Sequence, residues 1–137
     1  MKSLTEAAER ILSELEEAGE QNIYAMLNTI IDPNGLSEQV NEFQEALRTL
    51  HQTGYITMGM EEFSPRIQQE LPYAECSALI DDVKSWMTFD KADHLWSPSK
   101  GDYRTSQYPV IFVTPTGKAK AFEILDRRGY QWWRAKE

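Results

Sequence analysis

One segment near the middle of the chain carries the clearest structural pattern. Between residues 36 and 50, apolar side chains recur at alternating intervals of four and three residues, a spacing that keeps them on one narrow face of an α-helix. These residues are Leu36, Val40, Phe43, Leu47 and Leu50. Gly54 ends the helix, and the alternation over residues 55–58 predicts a short strand. The segment therefore predicts an amphipathic helix that is followed directly by a strand.

Two helices are predicted before this segment. Ser3 and Glu6 have the spacing of a capping box, and apolar residues at helical spacing then predict a first helix over about 3–18. From about residue 22 to 31, apolar residues cover more than half of the circumference, so the second helix is expected to be largely buried. The Asp-Pro-Asn-Gly sequence at 32–35 then breaks the chain.

The region that follows is predicted to mix helices with a hairpin. Ser64-Pro65 begins a brief helix that must end near Leu71, because a proline follows. Apolar residues on one face predict a longer helix over about 73–87. Residues 88–109 are interpreted as a long hairpin-like connection, with a strand around His94 to Ser97.

The end of the chain combines a buried strand with a last helix. Residues 110–113 are apolar on both faces, as in a buried strand, and Thr114-Pro115 begins a helix that runs to about Arg128. We therefore expect one mostly helical α+β domain over residues 1–137, with a helical insertion at about 63–93 and an aromatic tail at 129–137.

Two segments resemble the winged helix-turn-helix fold. Residues 36–58 (LSEQVNEFQEALRTLHQTGYITM) resemble its recognition helix and first wing strand, and residues 112–125 (FVTPTGKAKAFEIL) resemble its second wing strand entering the next helix. With the first two helices, the resemblance covers residues 3–58 and 110–128. The pattern is similar to the MarR-like and PadR-like bacterial transcriptional regulators. It implies that the helical insertion separates the two wing strands, that the chain forms a homodimer, and that duplex DNA is the partner.

The resemblance also implies a set of DNA-binding residues. The outer face of the third helix would enter the major groove, where Asn41 and Gln52 can bind adenine and Arg48 can bind guanine or a phosphate. The residues implied for the wing and the helix after it are Lys100, Tyr103, Arg104, Lys118 and Lys120. The residues implied for the dimer interface are Tyr130, Trp132 and Trp133, flanked by arginines that could meet the acidic first helix of a partner subunit.

Charge is divided unevenly along the chain. Residues 1–62 carry three basic and twelve acidic side chains, net −9, whereas residues 98–137 carry eight and four, net +4. Glu38, Glu42 and Glu45 share the outer face of the third helix, and carboxylates oppose binding to phosphate.

Two main functions are therefore open. The first, which the resemblance favours, is a winged-helix DNA-binding transcriptional regulator. The second is an acidic winged-helix interaction module that binds a basic protein, such as a nucleic-acid-binding protein, without binding DNA. A third interpretation is a ligand-sensing regulator with a pocket in the insertion, beside Trp86 and Trp96.

Enzymatic, metal-binding and membrane functions find little support. Cys76 is the only cysteine, which excludes an internal disulfide and a cysteine-paired zinc site. Asp90, Asp93 and His94 form a compact group without a further ligand at helical spacing. The sequence has no glycine-rich phosphate loop, no secretory signal at its start and no apolar run near the roughly 18 residues of a membrane span. We expect a cytoplasmic protein that is not an enzyme and that uses no cofactor and no metal.

Overall fold

Five helices and six strands make up the part of the chain that the computed structural model describes, residues 4–62, 67–99 and 107–134. In these residues the elements are α1 (Glu6–Ala18), β1 (Gln21–Asn22), α2 (Ile23–Ile30), α3 (Ser37–Gln52), β2 (Ile56–Glu62), β3 (Ile67–Glu70), α4 (Tyr73–Asp81), β4 (Met87–Asp90), β5 (Leu95–Pro98), β6 (Gln107–Val113) and α5 (Pro115–Arg128). Short 3-10 helices span Val83–Trp86 and Trp132–Arg134. The fold is α+β, as the sequence predicts. Within the described ranges, no helix combines the length and the apolar character needed to cross a bilayer.

The larger sheet is antiparallel, with the strand order β1-β6-β2-β3. Its central pair, β2 and β6, runs in register from Ile56 opposite Val113 to Glu62 opposite Gln107. The two strands predicted at 55–58 and 110–113 are therefore neighbours, although a long segment separates them in sequence. Strands β4 and β5 form a separate two-stranded hairpin.

The hydrophobic core lies where the three N-terminal helices pack against the sheet and α5. Its fully buried side chains include those predicted from the stripes of α1, α2 and α3. Each such Leu, Ile or Phe contributes about 1.5–3 kcal/mol through burial. Leu36 is the exception in the α3 stripe, because its side chain is 56% exposed. The helix begins only at Ser37, so Leu36 has extended backbone angles and does not continue the buried face.

One predicted helix is wrong in the insertion. The sequence predicts a brief helix from Ser64 to near Leu71, but Ile67–Glu70 is strand β3, paired with β2. The physical reason is tertiary: Gly59 of β2 lets the β3 backbone approach so closely that a Cβ at Gly59 would lie 2.3 Å from the Gln69 carbonyl oxygen. Backbone pairing at this sheet edge outweighs the weak helical pattern.

The helix predicted at 73–87 is shorter than expected. It ends at Asp81 as α4, continues as a 3-10 helix, and gives way to strand β4 at Met87. The strand predicted around 94–97 is present as β5, and β4 is its missed partner. The insertion is therefore a mixture of helix and strand rather than helical throughout.

Candidate interaction surface

One flank of α3 is covered by α4. The buried side chain of Gln44 donates from Nε2 to the carbonyl oxygens of Ile80 (2.9 Å) and Asp81 (3.1 Å), at the C-terminal end of α4. The ring of His51 stacks on Tyr73, with 4.1 Å between the ring centroids. Burial lowers the pKa of His51, because a charged imidazolium would lose its hydration there. This flank of α3 therefore contacts α4, although two cavities, of about 270 and 380 Å³, open beside His51 and Gln52.

The opposite flank of α3 is exposed, and we call it the open flank. Its exposed residues are Glu38, Asn41, Glu42 and Glu45, and Gln52, also exposed, lies at the C-terminal end of α3 beside α4. Asn41 and Gln52, both predicted to read DNA bases, thus lie at the surface as expected. The three glutamates occupy the same surface, because Glu42 and Glu45 follow Glu38 by about one and two helical turns.

Arg48 has a different environment from the one predicted. Its side chain is only 32% exposed, and its guanidinium donates to Oδ1 of Asp81 at 2.9 Å and to a carboxylate oxygen of Glu45. The hydrogen bond to Asp81 is the main cause that raises the pKa of Arg48. The cation predicted to bind guanine or phosphate is therefore held between two carboxylates.

The two lysines predicted to follow the wing lie on α5, and both have acidic neighbours. Nζ of Lys118 lies 3.8 Å from Oε1 of Glu16, and Nζ of Lys120 lies 2.9 Å from Oε1 of Glu123. The remaining predicted wing residues, Lys100, Tyr103 and Arg104, lie outside the described residues.

Two adjoining cavities open between α1 and the N-terminal half of α3, and we call them together the α1–α3 groove. The first, of about 270 Å³, has an apolar floor that includes Leu27, Ile30 and Phe43. The second, of about 330 Å³, is lined by the start of α1 and by the open flank of α3. Ala7 and Glu42 line both cavities. The groove therefore joins an apolar floor to the carboxylates of the open flank.

The aromatic residues predicted for a dimer interface differ in exposure. Trp133 is buried, at 4% exposure, and Trp132 is half-buried. The indole N–H of Trp132 donates to Oγ of Ser13 at 3.0 Å, and the Arg128 guanidinium lies 3.9 Å from the Trp132 ring centroid. Tyr130, by contrast, is 66% exposed. Trp132 therefore contacts α1 of its own chain, Trp133 belongs to the hydrophobic core, and the homodimer stays a prediction.

The basic residues near this tail also contact α1 of the same chain. Arg127 donates to Oε2 of Glu9 at 2.7 Å, and Arg134 donates to Oε1 of the buried Glu14 at 2.5 Å. The sequence suggests that the basic end of one subunit meets the acidic first helix of another. In the structure, these ion pairs form within one chain.

The acidic group in the insertion shapes a turn. Oδ1 of Asp90 accepts hydrogen bonds from the backbone N–H groups of Ala92 (2.9 Å) and Asp93 (3.2 Å), between β4 and β5. His94 has a φ of 58° and packs edge-on against Phe89. Among the residues that the structure describes, no group of three or more histidine, cysteine or carboxylate side chains could hold a metal ion.

Cys76 and Trp96 are parts of the core. The thiol of Cys76 donates to the carbonyl oxygens of Met58 and Leu71, each at 3.3 Å, and burial raises its pKa. The indole N–H of Trp96 donates to Oε1 of Gln39 at 3.0 Å, and the side chain of Trp96 is 6% exposed. Trp96 therefore joins the β4–β5 hairpin to α3, and the ligand pocket predicted beside it stays a prediction.

The sequence does not single out the residues that shape this surface. Asp81 lies in an adjacent pair of aspartates, Gln44 is one of several polar residues on α3, and Ala7 is one small residue among the apolar positions of α1. Their roles depend on contacts between distant segments, so no local spacing reveals them. Only Leu36, at the edge of the apolar stripe and beside a turn, offers a local signal.

Comparisons of the chain with models of known protein families, with curated proteins and with solved structures give no significant match.

Proposed function

We propose that this protein is an acidic interaction module of winged-helix type, and that the open flank of α3 binds a basic segment of a protein partner. The observation that carries this proposal is the charge of the open flank. Glu38, Glu42 and Glu45 are exposed there, while Arg48 is held by Glu45 and Asp81.

The order of elements supports the winged-helix part of the proposal. Three helices precede the paired strands β2 and β6, and α5 follows directly. This is the order that the resemblance to winged helix-turn-helix regulators implies, with β3, α4 and the β4–β5 hairpin as an insertion. In such a fold α3 occupies the position of the recognition helix, so its open flank is the surface presented to a partner.

Electrostatics favours a basic protein over DNA at this surface. A carboxylate about 6 Å from a phosphate costs about 0.7 kcal/mol in water, so three glutamates cost about 2 kcal/mol, or about 30-fold in affinity. The same charges favour Lys and Arg by a similar amount, and salt reduces both effects. Furthermore, the described basic residues predicted to bind DNA (Arg48, Lys118 and Lys120) all have carboxylate partners within 4 Å.

The proposal is tested by fluorescence-anisotropy titrations with two labelled probes, a Lys- and Arg-rich peptide and a random DNA duplex. Both are titrated with the full chain at about 50 and 200 mM salt. We expect binding of the peptide that weakens with salt, and no binding of the duplex. Steep, salt-dependent binding of the duplex that is lost in Arg48→Ala would refute the proposal and support the DNA-binding regulator.

A matched pair of triple variants locates the binding surface. Changing Glu38, Glu42 and Glu45 to glutamine is expected to weaken peptide binding about 30-fold at low salt. The control carries Glu20→Gln, Glu75→Gln and Asp126→Asn, which remove the same charge from exposed positions on other parts of the molecule. If the two triple variants lose affinity equally, net charge rather than the open flank attracts the peptide.

A further inference from the structure

We infer that the basic segment is amphipathic, with an apolar side chain that enters the α1–α3 groove between Lys or Arg residues that contact the rim. This inference rests on the proposed function and specifies the partner's chemistry. It follows from the position of the groove, which adjoins the open flank and shares Glu42 with it.

The size and lining of the groove fit side chains better than a cofactor. Its two cavities, of about 270 and 330 Å³, lie just below and just above the smallest small-molecule sites, of about 300 Å³. The floor of the first cavity is formed by apolar side chains of α2 and α3, including Ile30 and Phe43. Such a cavity accepts one or two apolar side chains and gives no buried charge to bind a polar ligand.

Leu36 extends the apolar surface outward from this cavity. Its side chain lines the first cavity and is 56% exposed. Single exposed leucines are common on protein surfaces, but this one lines a cavity together with Ala7 and Ile31, whose side chains are also partly accessible. An apolar residue of a partner would cover Leu36, Ala7 and Ile31, whose accessible surface a purely ionic ligand would leave in water.

The charged rim determines which apolar segments can bind. Glu38 and Glu42 line the first cavity, and Glu42 and Glu45 line the second. Glu45 is paired with Arg48, whereas Glu42 has no ion-pair partner among the described residues. An apolar residue flanked by Lys or Arg therefore complements the floor and the rim together, and an acidic apolar segment is repelled.

The inference is tested by selecting peptides of about 12 random residues on the immobilised full-length protein. We expect the selected peptides to combine Lys or Arg with at least one Leu, Ile, Met or Phe. Replacing that apolar residue of a synthetic peptide by alanine, at unchanged charge, is expected to weaken binding more than about tenfold.

Two variants of the protein block or alter the groove without changing its charge. Ala7→Leu places a larger side chain at the junction of the two cavities, and Leu36→Gln removes the exposed apolar edge. Each is expected to weaken peptide binding several-fold, and Leu36→Gln remains informative if Ala7→Leu perturbs α1. The control is Ala25→Leu at an exposed position of α2, which should bind like the wild type.

Failure of the groove inference and failure of the proposed function give different experimental results. Basic peptides that bind wild type, Ala7→Leu and Leu36→Gln equally would overturn the groove inference and leave the acidic open flank as the binding surface. Selected peptides without basic residues would overturn the proposed function as well. A wild-type chain that is dimeric by analytical ultracentrifugation, with a monomeric Ala7→Leu variant, would identify a second copy as the occupant and overturn the inference of a basic peptide.

Discussion

Helix propensity and packing predict opposite changes in stability when Gly117 is replaced by alanine. It lies in the first turn of α5, where alanine would ordinarily stabilise the helix by up to about 1 kcal/mol. A Cβ at this position, however, would lie 1.9 Å from the Tyr55 carbonyl oxygen and 2.8 Å from the carbonyl carbon. Both partners are backbone atoms, so no side-chain rotation relieves the overlap.

The magnitude follows from what must move. A carbon–oxygen contact needs about 3.3 Å, so the start of α5 must separate from Tyr55 by more than 1 Å. Two hydrogen bonds span this junction, from the Thr114 N–H to the Tyr55 carbonyl (3.0 Å) and from Thr114 Oγ1 to the Gly54 carbonyl (2.6 Å). Forced backbone shifts cost about 1–3 kcal/mol and each of the two weakened hydrogen bonds about 0.5–1.5 kcal/mol. After the propensity gain of up to about 1 kcal/mol is subtracted, we expect Gly117→Ala to lower the free energy of unfolding by about 1–5 kcal/mol.

The assay is chemical unfolding in guanidinium, followed by far-UV circular dichroism and tryptophan fluorescence. The control is Ala119→Gly at an exposed position of the same helix, which should cost only the propensity difference of about 1 kcal/mol. We expect both variants to be less stable than the wild type, Gly117→Ala more so, with unchanged denaturant slopes. A Gly117→Ala variant as stable as the wild type would refute the close approach of α5 to Tyr55.

Three further predictions concern the contact between α3 and α4. Burial lowers the pKa of His51 below 6.5 in the folded chain. The stabilising contribution of the neutral ring to the free energy of unfolding is therefore complete above pH 6.5 and is lost as the pH falls below it. Urea midpoints should therefore fall more for the wild type than for His51→Phe between about pH 8 and pH 5.5, and equal decreases would contradict this assignment. Gln44→Met removes the side-chain donor to the last carbonyls of α4 and should lower the free energy of unfolding by about 1–3 kcal/mol, as measured by urea unfolding. An unchanged urea midpoint would show that this contact contributes nothing to stability. Asp81→Asn frees one side of Arg48 and should weaken binding of the basic peptide about two- to fivefold in anisotropy titrations, and unchanged affinity would argue against any effect of Arg48 on the open flank.

Local spacing is sufficient to predict several helices of this fold. The apolar stripes predict α1 and α3, Thr114-Pro115 predicts the start of α5, and a glycine just after each helix marks its C-terminal end. The predicted start of α1 at a Ser3–Glu6 capping box is wrong, because the helix begins at Glu6 and Thr5 is its N-cap. Gly19 and Gly129 follow α1 and α5 directly and have positive φ angles of 87° and 90°. These signals are local, so the sequence contains all the information needed to read them.

Strand β3 and the short α4 could not be predicted in the same way. The segment Ile67–Glu70 becomes a strand only because the edge of β2 is available and Gly59 permits a close backbone approach. Similarly, α4 ends at Asp81, and its last carbonyls are bonded by Gln44 from a distant part of the sequence. Both features depend on pairing between segments, which helical periodicity does not report.

On the candidate surface too, the exposure of a residue can be predicted from local spacing, but its contacts with distant segments cannot. The exposure of Asn41 and Gln52 follows from their place opposite the apolar stripe, and both are exposed. The environment of Arg48 does not follow, because Asp81 comes from the insertion. A helical wheel therefore predicts which residues face outward but not which of them another element then covers.

The insertion determines what α3 can offer to a partner. Arg48 is the only lysine or arginine in α3, and α4 supplies the carboxylate that holds it. The glutamates left on the open flank lie within about 10 Å along the helix axis, and neighbouring ones are closer than the Debye length of about 8 Å in physiological salt, so their fields add at the surface. If α3 bound DNA as a recognition helix, its single cation would be expected to be free. Its pairing with Asp81 instead leaves the glutamates of the open flank in excess, and this excess supports the proposal that the open flank binds a basic partner.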